Sequence, residues 1–400
     1  METKNSLTLF YKHSLSAPTG NLITSVFLKD VNGDGKLDLI NTLTPGANNV
    51  AVSFGQGNST LGAAQFYQLT GATDRLLLGD FTTQAEDPSQ PGKLDLLIPT
   101  EGAAPNNGLL VNQGAGTFVA RPYADSRDFT VGNNPTAIAT GDINGDSIPD
   151  VLTANAGTNT VSVRLGNGDG TFATIPDSAV GISPQGVALG DLNGDGKLDF
   201  VTANYGNGTV SIGLGDGKGF FAAASSIAVG ANPTSVSLGD LNGDGKLDLV
   251  LTTSNQVSVL LNQTANGTLS FATRVDYGVG TTPKTAALGD INRDGKLDVV
   301  TANFGSGNLS VLLGAGNGTL GTATTYTVGT NPTSVALGDV NGDGKLDLVS
   351  TNASTDVSKN SISVLLGNGQ GSFGTKTDYQ GMLPQRSGWV ILTMTASWMC

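Results

Sequence analysis

A ten-residue string, Gly-Asp-Leu-Asn-Gly-Asp-Gly-Lys-Leu-Asp or a close variant, recurs along this chain, and its spacing constrains the fold more than any other feature. Its first aspartate stands at Asp30, Asp142, Asp191, Asp240, Asp290 and Asp339, with a degenerate copy at Asp80. Successive openings are 50, 62, 49, 49, 50 and 49 residues apart. The long interval carries an insertion, with Glu86, Asp87 and two prolines, that breaks the second copy. A fixed period settles architecture before local propensity does, because each repeat buries its apolar faces only against its neighbours. Seven units tile residues 22–379, at 22–70, 71–130, 131–179, 180–228, 229–277, 278–327 and 328–379.

Within the unit 229–277, four short segments alternate apolar with small polar residues: Ser235–Leu238, Leu247–Thr252, Val257–Leu261 and Leu269–Tyr277. Alternation of period two, bounded by Gly, Asn and Pro, is the signature of strands. With 57 glycines and few Glu, Lys or Arg, helices are expected to be scarce. Seven sets of four short antiparallel strands predict an all-β, seven-bladed β-propeller, whose radial repetition leaves only short, protected edges. A solenoid of calcium-binding nonapeptides has a period about five times too short. Residues expected to open the fourth strands recur at Phe10, Leu61, Phe118, Phe172, Phe220, Phe271, Leu320 and Phe373. That is one more than the seven inner sets require. A strand near Leu7–Lys12, within residues 1–21, is therefore expected to complete the last blade and close the ring, displacing or duplicating Phe373–Tyr379. Residues 380–400, which hold Trp389 and Trp398, match no part of the repeat.

The aspartate string reads as a cation loop. In Asp240-Leu-Asn242-Gly-Asp244-Gly-Lys246-Leu-Asp248, side-chain oxygens at positions one, three, five and nine can converge with the backbone carbonyl of position seven. The glycine at position six permits the sharp turn. Calcium, which takes about six to eight hard oxygen ligands, suits this set better than magnesium, which demands a near-ideal octahedron. The same set stands at Asp30, Asn32, Asp34, Lys36, Asp38; at Asp191, Asn193, Asp195, Lys197, Asp199; at Asp290, Asn292, Asp294, Lys296, Asp298; and at Asp339, Asn341, Asp343, Lys345, Asp347. Arg293 replaces the position-four glycine, where a side chain can point to solvent. Asp142, Asn144, Asp146, Ile148 and Asp150 form a weaker copy, because Ser147 replaces the turn glycine and Pro149 precedes the last ligand. The copy at Asp80 keeps Asp95, but Thr82 and the insertion break its spacing, and no normal site is expected there. An EF-hand would carry Glu at position twelve on an exiting helix, whereas here a β-type run follows position nine. Plain Asp/Asn/Gly turns need one or two such residues. Three spaced aspartates in each of six copies crowd like charges that repel in water by ~1 kcal/mol per pair at ~4 Å.

Charge agrees with that reading. The formal charge is −13, and the six loops supply 18 of the 33 acidic residues, so six Ca²⁺ ions would bring it to −1. Nucleic acid and anionic membranes are disfavoured partners, since no cluster of Lys and Arg is present. Cys400 and His13 are the sole residues of their kinds, which excludes an internal disulfide framework and a zinc or Cys/His nucleophilic centre. Neither a secretory signal at Met1–Phe10 nor an apolar run of about 18 residues is visible.

These loops resemble the FG-GAP and VCBS repeats of integrin α-subunit heads and of many bacterial surface or secreted proteins. The resemblance extends to Val-Gly-x-Asn-Pro-Thr-Ser at 229–235 and 328–334 and to Leu-Gly-Asn-Gly-Asp-Gly-Thr-Phe at 165–172, and covers residues 22–379. It implies a seven-bladed propeller with calcium between the first two strands of a blade, an extracellular or cell-surface setting, and adhesion or ligand recognition. A fungal lectin with similar blades extends the candidate ligands to glycans.

Antiparallel blades put the aspartate loops and the Gly-x-Gly loops on one face, because both follow odd-numbered strands. The opposite face carries the Asn-Pro-Thr approaches and the Thr-Ala-Asn-Tyr/Phe-Gly turns. Tyr205 and Phe304, with Asn204 and Asn303, are the candidates for contact with a protein or glycan there, against the alternative that they are turn and gap-filling residues. Glycine strings such as Gly166–Gly170 precede a strand rather than a helix, so they are not a phosphate fingerprint. Carboxylates alone can perform acid–base chemistry on sugars, but nearly every clustered carboxylate already has a place in a loop, leaving Glu101 and Asp125 as unconvincing spares, and a binding module is expected rather than an enzyme.

Overall fold

The computed structural model describes residues 22–44, 50–67, 76–82, 93–98, 108–114, 116–120, 130–354 and 360–380. Seven antiparallel sheets follow one another along the chain, each built from consecutive strands. The fifth is typical, with Ser235–Gly239, Asp248–Thr253, Gln256–Leu260 and Val275–Gly278 lying side by side in that order. No helix occurs among the described residues. The protein is the all-β, seven-bladed propeller that the period implies, and we number its blades in chain order.

Burial explains why strands so rich in Thr, Asn and Ala persist. The second strand of blade four, Asp199–Asn204, is buried at every position, since each sheet is packed between two others. Small residues let neighbours approach. A Cβ at Gly190 would run into Leu238 and Leu247 of the next blade. Gly141, Gly239 and Gly289 receive the corresponding leucine pairs in their turn, and Gly338 of blade seven receives Leu28 and Leu37 of blade one. In blades three to seven the glycine before the loop is thus a socket for the following blade, and the last socket closes the ring. Around that seam Val26, Leu39 and Ala51 cluster with Val349, Ile362 and Val364. Each fully buried side chain of this size contributes roughly 1.5–3 kcal/mol.

Among the described residues blades seven and one meet through this packing and through the Tyr379 hydroxyl, which donates to the Ser59 carbonyl. Thr377–Gln380 pairs with Ser361–Leu365 and fills the fourth position of blade seven from its own repeat. That strand is not displaced by an N-terminal one, and the duplicating alternative falls on residues outside those described. Leu7–Lys12 and residues 381–400 lie outside the described residues, while Gln380, expected to begin the tail, ends the strand.

The expected openings of the fourth strands need one refinement. Leu61, Phe271, Leu320 and Phe373 each form a single antiparallel bridge, with Gly55, Asn262, Gly314 and Gly367, four residues before the strand proper begins. In blade four Phe221, not Phe220, makes this bridge with Gly215, and Phe220 is 50% exposed. Phe118 and Phe172 do open their strands, and Phe10 lies outside the described residues. In blade three the outer position is shared by Phe172–Thr174 and Ser178–Ala179, both paired with Thr160–Gly166.

Candidate metal centres

Blade four shows how each loop is built. The Asp191 carboxylate at position one accepts from the N–H groups of Gly194 at 2.7 Å, Asp195 at 3.2 Å and Gly196 at 2.8 Å. Asn193 Oδ1 accepts from Asp195 N–H at 2.9 Å, and Asp195 Oδ1 accepts from Lys197 N–H at 3.0 Å. The glycines make this possible: Gly194 and Gly196 hold φ of 79° and 82°, a left-handed conformation costly for residues with a Cβ. Blades one, five and seven repeat the pattern, with Gly33, Gly243 and Gly342 donating to position one at 2.7 Å.

The departures are local. Ser147 adopts φ 67° in blade three and still donates to Asp142 at 2.8 Å, so the weaker copy keeps the shape of the others. Arg293 adopts φ 63° in blade six, and its guanidinium, rather than pointing away, donates to the Gly344 carbonyl in the loop of blade seven.

Position nine behaves differently from the rest. Asp38, Asp150, Asp199, Asp248, Asp298 and Asp347 are all fully buried. Each uses one oxygen for the N–H of position two and the other for an N–H at or two residues beyond the end of the third strand, as Asp199 does with Leu192 and Gly215, both at 2.9 Å. The carboxylate pins its loop to the two adjacent connections. Burial pushes these carboxyls above the usual range, the two backbone donors oppose that, and the loop's other carboxylates, Asp30 and Asp34 in the case of Asp38, push further up. Asp150 rises to about 6.

The donor set suits a hard cation: three carboxylates, one amide oxygen and a backbone carbonyl within nine residues. Among the described residues no three acidic groups are drawn tightly enough to enclose an ion. A cationic group already sits at position five in each full loop. The ammonium of Lys36, Lys197, Lys246, Lys296 and Lys345 lies 3.6, 3.7, 3.7, 3.3 and 2.8 Å from its aspartate. The residues suit a divalent cation in ligand type, and the lysine ammonium groups are paired with the same position-five carboxylates.

The second copy lacks the set. Thr82 stands at position three, and both its N–H, at 3.0 Å, and its hydroxyl, at 2.9 Å, go to Asp95. Glu86, Asp87, Glu101 and Asp125 lie outside the described residues.

On the opposite face the structure separates the four expected contact residues. Asn204 and Asn303 are fully buried and spent internally: Asn204 Nδ2 donates to Ser211 Oγ at 2.9 Å and its Oδ1 accepts from Thr202. Asn303 does the same with Ser310 and Thr301. They tie the second strand to the third and are not surface groups. Phe304 is half-buried, with the ammonium of the buried Lys284 5.3 Å over its ring. Tyr205 is exposed, and beside it, across the Gly206 N–H bond to the Ile182 carbonyl, Ile182 is 56% exposed. Sequence reasoning missed Ile182 because no aromatic or motif marks it.

The profile of FG-GAP-like repeats matches residues 92–153, 142–202, 191–251, 240–301 and 290–350, and the FG-GAP repeat matches 331–372. The chain belongs to the FG-GAP repeat family. No curated protein sequence matches this FG-GAP protein. Among solved structures it is similar to an Agrocybe aegerita lectin described as recognising non-reducing terminal N-acetylglucosamine, at 20% identity and a TM-score of 0.55 over 89% of this chain and 94% of that one. It is also similar to BBS1N, solved in complex with ARL6DN, at 13% identity and a TM-score of 0.55 over 86% and 93%. A Bacteroides fragilis protein described as a putative 6-phosphogluconolactonase gives 15% identity and a TM-score of 0.58 over 88% and 95%. At such identities the likeness shows the propeller alone. Among the described residues no helix is long and apolar enough to cross a membrane.

Proposed function

We propose that this FG-GAP propeller is a calcium-loaded adhesion or protein-binding scaffold, not an enzyme, working at the cell surface or outside the cell. One observation carries the reading: a loop of the same shape, with the position-one carboxylate accepting from the backbone, recurs in six of the seven blades. Asp30, Asn32, Asp34, Asp38 and the Lys36 carbonyl would hold the ion in blade one, and the equivalent residues in blades four to seven. Blade three would do so through Asp142, Asn144, Asp146, Asp150 and the Ile148 carbonyl. A bound divalent cation would offset the repulsion within each carboxylate set and fix the rim of the propeller. Partner recognition is assigned to the other face, which leaves the cation loops free of the interface.

A lectin is the second reading, supported by Tyr205, exposed beside Ile182 as a platform on which a sugar ring can stack. Equilibrium dialysis with metal analysis tests the first: about six calcium ions per chain are expected, and none would refute it. A glycan array in calcium buffer separates the readings, since a specific sugar response selects the lectin. Turnover of any sugar polymer would overturn the non-enzymatic assignment.

A further inference from the structure

Asn262 stands two residues beyond the third strand of blade five, at the position that Gly55, Gly166, Gly215, Gly314 and Gly367 hold in other blades. Like them it donates its N–H to the position-nine carboxylate of its own blade, here Asp248 at 2.7 Å. Unlike them it has a side chain. The Nδ2 group donates to the Leu192 carbonyl, in the loop of blade four, at 2.9 Å and to the Leu247 carbonyl at 3.1 Å. Thr264 N–H fixes the amide's orientation by donating to Oδ1 at 2.9 Å. Leu192 in turn donates its own N–H to Asp199. A continuous hydrogen-bonded path, Asp199 to Leu192 to Asn262 to Asp248, therefore joins the position-nine aspartates of two neighbouring loops. Asn262 is 1% exposed, both amide hydrogens are donated and the amide oxygen accepts from Thr264 N–H, which holds the side chain in one orientation.

Blades with glycine at this position are tied differently. Blade six holds the Leu241 carbonyl of blade five through Gly318 N–H at the loop tip, while Gly314 N–H holds Asp298. Two residues share the task, and the path is broken between them.

We propose that Asn262 couples the cation loops of blades four and five, so that a cation in one strengthens binding in the other. The proposal rests on the cation reading above. When a cation draws on Asp199 it shifts Leu192, and Asn262 passes that shift to Asp248; reciprocity requires the same effect in reverse. Asn262 is a positioning residue and touches no cation itself. The protein holds its own control. Asn112 builds the same path from Val31 of blade one, at 2.9 Å, to Asp95 of blade two, at 2.9 Å, but ends on a blade without the ligand set.

The test uses the full chain, adding calcium stepwise and following the Gly196 and Gly245 amides by NMR. Asp195→Ala removes a ligand from blade four and is expected to raise the calcium midpoint at Gly245 about 5-fold or more. In an Asn262→Gly background the same change should leave that midpoint where it is, while in an Asn112→Gly background the shift should persist. The coupling is overturned if Asp195→Ala does not move Gly245 when Asn262 is present, if the shift survives Asn262→Gly, or if Asn112→Gly removes it equally. Response of both amides without any shift defeats the coupling alone. Silence of both in the unaltered chain defeats it together with the cation reading.

Discussion

Blades two and four descend from one repeat and differ in what they have kept. Blade four has the full ligand set over a buried Asp199 that accepts from Leu192 and Gly215. Blade two has lost positions three and five, yet Asp95 remains, 1% exposed and accepting from Phe81, Thr82 and Asn112. The propeller therefore needs the ninth aspartate even where no cation is expected. Position nine therefore serves the architecture, while the acidic and amide groups at positions three and five go with the intact loops of the other six blades.

The largest effect should come from the pin itself. Asp199→Ala strands two buried N–H groups, each costing ~1–3 kcal/mol, and urea unfolding should show that loss. Asp95→Ala should cost as much; unchanged unfolding of that variant would break the comparison.

Next comes pH. Burial above all raises Asp95 to about 6, its backbone and Thr82 hydrogen bonds opposing the rise. The folded state then binds the proton more tightly than the unfolded chain, so this group's contribution to stability falls as pH rises from ~4 to ~6 and is level above, by at most ~3 kcal/mol. A carboxyl ¹³C titration should give a midpoint near 6, and Asp95→Asn should remove that segment of the pH–stability curve.

Ligand loss should be smaller and conditional. Asp195→Ala, tested in chelator, should unfold within ~0.5 kcal/mol of the parent, because its side chain is exposed; in excess calcium it should take up one fewer ion. A large loss in chelator would mean that position five is structural too. The smallest effect belongs to the other face, where Tyr205→Ala should alter stability by less than ~0.5 kcal/mol and weaken whatever ligand that face binds.

The period disclosed the blades because a fifty-residue repeat with four alternating segments has few other ways to bury itself. The loops were legible for a related reason: aspartates at fixed odd spacing have no use in a simple turn. Side-chain direction was not legible. Asn204 and Asn303 sit where exposed turn residues would, but their amides fold back onto the third strand, and only the recurring Thr-x-Asn with a later Ser hinted at it. The doubled Phe220-Phe221 concealed a one-residue register choice, resolved by the bridge to Gly215. Arg293 was expected to point into solvent, since nothing in a single repeat indicates that the next blade's Gly344 carbonyl lies within its reach.

We propose that the carboxylate loops around this ring hold divalent cations. Thermal melting of the purified chain, first as isolated, then after chelation, then with calcium restored, tests it most directly. Each occupied site should add ~2.7 kcal/mol at a hundredfold excess over its dissociation constant; the melting temperature should drop on chelation and return with calcium. Identical melting in all three states would contradict the account.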